Sequence, residues 1–300
     1  MISVLLATLA GTVARLLLLR VDYRQYPSYP QGYLTHLFLG FIAAAIGGVA
    51  LPALLSRHYE AVTFLALAAT QFRDIRAMER DSLAALEATE LVNRGPAYIE
   101  GIAKVFEARN YVAMATALVT GAVFLFVPGS RWAAAAAALV AGSLTVLLLH
   151  RAMTGRRVGD YARLELVPLR FEGPFLFAGD ALLINVGSQE ARQVYLERGL
   201  GLVLHPVNAD ARATLSSPGQ RQAIVHDVSA ILGVRRDIDE PEYAPIARLD
   251  DHSGSIGLAI VPLYRDGQAL LEAVSRVPVL EGVRRKPTLT GAGRRAIGGG

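Results

Sequence analysis

Cysteine is absent from the 300 residues, which excludes disulfides, thiolate nucleophiles and cysteine-ligated metals. Lysine is almost absent as well. Lys104 and Lys286 are the only two, so the basic charge is carried by arginine. Charge is scarce overall: 19% of residues are charged and 53% are hydrophobic, with a mean hydropathy of +0.36. That balance does not fit a pair of ordinary soluble domains; it fits a polytopic membrane protein with a soluble part attached. The chain has no HExxH, no Walker loop and no GxGxxG. The six histidines (His36, His58, His150, His205, His226 and His252) are dispersed, so neither a metal site nor a cofactor is expected. The net charge of +4 is modest, and we read it as membrane topology rather than as a nucleic-acid footprint.

What is present is a series of long apolar runs. Residues 2–19 are apolar apart from Thr8, Thr12 and Arg15. Arg15 interrupts the run and no small-x-small cleavage site follows, so a first transmembrane helix is expected rather than a signal peptide, with Arg15 snorkelling to the headgroups. Residues 20–33 hold four tyrosines, Pro27 and Pro30, a composition suited to a connector at the interface. Residues 34–55 form the clearest span, with Gly40, Gly47 and Gly48 allowing close helix approach and His36 expected as an interfacial residue. Residues 61–70 are apolar but short. They form either a tilted crossing, which we favour, or a re-entrant element. Residues 111–127 and 132–149 read as a helical hairpin turned at Pro128-Gly129-Ser130. Arg151, Arg156 and Arg157 follow, placing the rest of the chain in the cytoplasm and giving five spans.

From about residue 155 the pattern becomes that of a soluble domain. Strands are expected at 181–186, 201–207 and 255–263. Helices are expected at 188–198 with Ser188 as N-cap, at 218–232 ending on Gly233, and at 266–276. Strands alternating with helices predict a small cytoplasmic α/β domain over 155–285. The membrane domain is then 1–154, and residues 286–300 form a basic, glycine-rich tail expected to be disordered.

The charged stretch at 71–110, set between the apolar runs, is where chemistry is expected. On a helix, Glu100, Lys104, Glu107 and Tyr111 fall on one face at steps of four, three and four. Glu107 can pair with Arg109 or Arg73 there. Arg73, Arg76 and Arg80 make a second face beside Asp74 and Asp81. One reading is a solvated amphipathic helix. The other turns the acids towards a cavity, where Asp74 with Glu100 or Glu107 forms a carboxylate dyad that activates water. Outside this stretch, His226, Asp227, Ser229 and Ser253 make a weak serine-triad candidate, and His226, Asp227 and His252 a weaker metal one.

Tyr98-Ile99-Glu100-Gly101-Ile102-Ala103 spells YIEGIA, with Gln71-Phe72-Arg73-Asp74 before it and Phe106-Glu107-Ala108-Arg109-Asn110-Tyr111 after it. With Asp22-Tyr23-Arg24-Gln25-Tyr26-Pro27, these runs resemble the YIEGIA family of membrane proteins from endospore-forming bacteria over most of the chain. The resemblance implies a multi-pass cell-membrane protein with a sporulation-linked role, and membrane proteolysis of a protein substrate under a cyclic-di-GMP-responsive cytoplasmic partner. Under it, Glu100 and Glu107 are the leading catalytic residues, followed by Asp74 and Arg73. The competing expectation is a non-enzymatic scaffold whose cytoplasmic domain recruits a partner. The oligomeric state stays open.

Overall fold

The computed structural model describes residues 1–22, 30–153, 155–237 and 240–298. The chain divides into two units, Met1–Ser82 with Ile102–Thr154, and Leu83–Gly101 with Gly155–Gly300. The expected boundary near residue 154 is therefore crossed once more: residues 83–101, the middle of the charged stretch, belong to the second unit.

The first unit is a helical bundle built from α1 (Ile2–Asp22), α2 (Pro30–Leu55), most of α3 (Tyr59–Leu86), α4 (Pro96–Phe126) from Ile102 onward, and α5 (Arg131–Met153). Small residues let α1, α2 and α4 approach closely: Ala7, Ala44 and Ala117 form one buried cluster. A Cβ added at Gly47 would lie 2.1 Å from the Met114 carbonyl oxygen, so only glycine fits that crossing. Leu65, Ala68 and Ile75 of α3 pack against a second cluster of Ala43, Ile46 and Ala113.

Four helices (α1, α2, α4 and α5) are long and apolar enough to cross a membrane. The expected fifth, containing residues 61–70, is the first part of a 28-residue helix whose second half carries Arg73, Asp74, Arg76, Glu79, Arg80 and Asp81. Those charges keep α3 out of that set. Residues 23–29 of the tyrosine- and proline-bearing connector lie outside the described residues.

The second unit contains β1 (Ala162–Val167), β2 (Leu169–Glu172), β3 (Phe175–Ala178), β4 (Ala181–Asn185), α6 (Gln189–Arg198), β5 (Leu200–Pro206), α7 (Ala209–Leu215), α8 (Pro218–Leu232), β6 (Arg236–Asp237), β7 (Glu240–Pro241), β8 (Ile246–Leu249), β9 (Ile256–Ile260), α9 (Gly267–Arg276) and α10 (Gly291–Gly298). The main sheet has the order β1-β5-β9-β8, and β2-β3-β4 form a meander. Every paired strand is antiparallel, with Leu164 opposite Leu204 and Leu202 opposite Leu258. The α/β expectation is thus corrected to α+β: strand–helix alternation is present, but among the described residues no helix links two parallel neighbours.

Helix ends follow local chemistry. Ser188 accepts from the Ala191 amide, Asp266 accepts from the Gln268 and Ala269 amides, and α8 stops at Gly233 with φ 68°. All five residues of β9 are buried, and Leu169, Leu176, Leu183, Tyr195 and Val261 fill one core cluster. The tail expected to be disordered is structured as far as it is described. Residues Pro287–Leu289 form a 3-10 turn before α10, and Thr288 donates to Asp210 at 2.6 Å.

Candidate functional site

Helix α4 carries the motif, and the unit boundary falls inside it, between Gly101 and Ile102. Tyr98 and Glu100 therefore belong to the second unit, Phe106, Glu107, Asn110 and Tyr111 to the bundle.

In the bundle, polarity gathers around Arg15. This residue is fully buried and does not snorkel. Its Nε donates to Asn110 Oδ1 at 3.3 Å, and its guanidinium lies 5.2 Å from the Phe106 ring centroid. The reason is steric as well as electrostatic: a Cβ at Gly40 would sit 2.2 Å from Arg15 Cγ. The missing side chain on α2 leaves the slot that the arginine stem occupies. His36 is likewise buried, with its ring centroid 4.6 Å from that of Phe106. Arg109 and Asn110 are buried too.

Two carboxyls flank this cluster. Glu107, whose side chain is 12% exposed, accepts from Arg76 Nη1 at 3.2 Å and from the Tyr111 hydroxyl at 3.2 Å. It lies one turn before Asn110 on α4. Glu79, half-buried, lies one turn after Arg76 on α3. Burial pushes its carboxyl up, and the Arg15 charge opposes that shift.

The predicted site residues are only partly brought together. Glu107 is in the cluster, and among the described residues Arg76 pairs with it. Asp74 is exposed, and the Arg73 side chain lies outside what is described. Glu100 stands seven residues before Glu107 on one helix, about 10 Å along its axis at 1.5 Å per residue. Sequence reasoning missed Arg15, Asn110 and Glu79. The signal that exposes them is a lone arginine inside an apolar run, which has to find a partner on another helix.

In the second unit the same helix meets a different environment. The Tyr98 hydroxyl donates to both Asp227 oxygens, at 2.9 and 3.1 Å. His226 Nδ1 lies 2.6 Å from the Val92 carbonyl oxygen, and Gln222 Nε2 donates to the Asn93 carbonyl at 2.6 Å. Glu87 accepts from the Arg94 and Gly95 amides. Residues 87–98 are thus fastened to α8. Burial pushes the Asp227 carboxyl up, against the hydrogen bond from Tyr98.

The serine-triad candidate does not form. Ser229 donates to its own helix at Val225, Ser253 donates to Asp250, and Asp227 is engaged by Tyr98. Among the described residues, no group of three histidines or acids is placed to hold a metal. A shallow groove between β1 and α6, lined by Leu166, Pro168, Leu196 and Arg265, contains none of the predicted site residues.

No solved structure matches this chain. A protein of Bacillus subtilis (strain 168), described as uncharacterized protein YphB, is 43% identical over 278 residues, covering 93% of this chain and 92% of that protein. The family described as YIEGIA protein matches residues 3–290. The chain belongs to the YIEGIA family.

Proposed function

We propose that this chain is a membrane-embedded hydrolase of protein substrates, in which Glu107 and Glu79 act on water beside the buried Arg15–Asn110 pair. The observation that carries the reading is that pair itself. A fully buried arginine bonded to a buried asparagine, in a bundle of apolar helices, is costly to build, and such groups inside a bundle mark functional sites. Two carboxyls in unlike surroundings, one ion-paired and one desolvated, are what acid–base work on a peptide bond requires. In the reaction, the water oxygen bonds to the carbonyl carbon as Glu107 takes the water proton. The C–N bond then breaks as Glu79 gives its proton to the leaving nitrogen.

The membrane layout belongs to the same proposal. The apolar first half of α3 crosses as a fifth span, supported by the packing of Leu65 and Ala68 on α2 and α4. Arg151, Arg156 and Arg157 support a cytoplasmic position for the second unit. There it receives a cytoplasmic regulatory protein responsive to cyclic-di-GMP. The relative in Bacillus subtilis, an endospore former, supports a sporulation-linked role.

The test uses purified full chain in proteoliposomes with fluorophore-labelled casein, together with mapping of new protein termini in expressing membranes. Glu107→Gln and Glu79→Gln are each expected to lower cleavage at least 100-fold, within the range for losing a positioned acid or base. Unchanged cleavage in both variants overturns the reading.

One observation favours the non-enzymatic scaffold. Asp74 is exposed and Glu100 belongs to the second unit, so of the three expected acids only Glu107 is found in the cluster. If no protein terminus depends on Glu107 or Glu79, and a stable cytoplasmic partner co-purifies, the scaffold replaces the hydrolase.

A further inference from the structure

Asn110 is fully buried. Its amide orientation is fixed by its neighbour, because Arg15 Nε can only donate and so requires the asparagine oxygen. The two N–H groups of Nδ2 therefore point away from Arg15, and among the described residues they meet no acceptor. A buried donor without an acceptor costs about 1–3 kcal/mol. A bundle this closely packed would not keep Asn110 there for packing alone. Glu107 lies one turn away on the same helix, Glu79 feels the Arg15 charge, and the ring of Phe106 covers the guanidinium.

We propose that Asn110 Nδ2 holds a single internal water molecule in the bundle, shared with the Glu79 or Glu107 carboxylate and covered by Phe106. Water fits because Asn110 is fully buried and its Nδ2 needs an acceptor oxygen, and a water molecule supplies one while keeping two protons to donate. The amide donates to the water oxygen and leaves both water protons for carboxylates. Resting on the hydrolase reading above, this water is the molecule that attacks the substrate carbonyl. Asn110 is then a positioning residue for the nucleophile, and Arg15 holds Asn110 in the orientation that makes it a donor.

X-ray radiolytic footprinting of the full chain in lipid nanodiscs tests the site without any substrate. Radicals formed from a bound water oxidise the side chain beside it. Phe106, 1% exposed, is expected to be hydroxylated at least tenfold faster than Tyr195, which is buried to a similar degree at 5%. After a pulse of H2-18O, Phe106 is expected to take up the heavy isotope later than Trp132, which is 87% exposed. Asn110→Leu is expected to lower Phe106 labelling at least fivefold. The proposal is overturned if wild-type Phe106 is unlabelled, if it exchanges in step with Trp132, or if labelling persists in Asn110→Leu. Because the measurement involves no cleavage, an inactive chain that labels Phe106 fails only the hydrolase. An active chain that does not label it fails only the water site.

Discussion

Helix α4 passes two polar clusters, and they are built on opposite terms. At its first turn, Tyr98, Asp227, His226 and Gln222 satisfy one another and the carbonyls of Val92 and Asn93. At its middle, Arg15 and Asn110 bond once, and the asparagine keeps two donors with no protein acceptor among the described residues. A satisfied cluster fixes a chain path and is repaid in stability. An incompletely satisfied one costs stability and is retained for what it binds or does. The same helix thus begins as a fastening at the motif and continues into an incompletely satisfied cluster.

The sharpest way to break this contrast is to separate activity from stability in each cluster. Glutamine at Glu107 or Glu79 gives the largest effect, the hundredfold loss of cleavage stated above, with little change in unfolding. Arg15→Met keeps the length of the stem and removes the charge. Removing the desolvation penalty of a buried charge offsets the cost of leaving the Asn110 oxygen without its donor, about 1–3 kcal/mol. Thermal unfolding in detergent should therefore hold or rise while cleavage falls at least tenfold. A parallel loss of both would make Arg15 structural, like Tyr98.

Gly40→Ala tests the slot itself. With a Cβ 2.2 Å from Arg15 Cγ, overpacking should cost about 2–3 kcal/mol, read from denaturant unfolding. Tyr98→Phe strips the donor from a half-buried carboxylate and should cost about 1–2 kcal/mol, again by unfolding. The smallest effect is on pH. Burial raises Asp227, so the folded chain holds this proton where the unfolded chain has released it. Its contribution is present at acid pH and is lost as pH rises from the ordinary carboxyl range through the raised value. Asp210, lowered by Thr288, runs the other way and loses its contribution as pH falls. Unfolding scans of Asp227→Asn and Asp210→Asn against wild type across acid pH should show these opposite slopes.

Much of this arrangement is legible in the residues. Ser188, Asp266 and Gly233 mark helix ends because capping is decided by groups within a few positions of each other. The apolar runs of α1, α2, α4 and α5 announce themselves by length. The helical face that joins Glu107 to Tyr111 follows from the 3.6-residue period, and the Tyr111 hydroxyl does reach that carboxylate. Three things were not legible. The first two strands of the meander, β2 and β3, have four residues each, too short to carry a clear period. The antiparallel direction of the sheet depends on which strands meet, and strand patterning does not encode it. Arg15 looked like a residue at the edge of a membrane, because a sequence shows an interrupted run and hides the opposing glycine.

The chain by itself determined that the long apolar helices α1, α2, α4 and α5 would form, where most helices of the second unit begin and end, and that the charged segment would be helical around the motif. Each of those outcomes depends on contacts within one or two turns. Tertiary structure alone decided that Arg15 faces Asn110 across 95 positions, that Tyr98 reaches Asp227 across 129, and that Arg76 on another helix pairs with Glu107. Those pairings depend on how helices cross, and crossing is set by which small residues let two backbones come close.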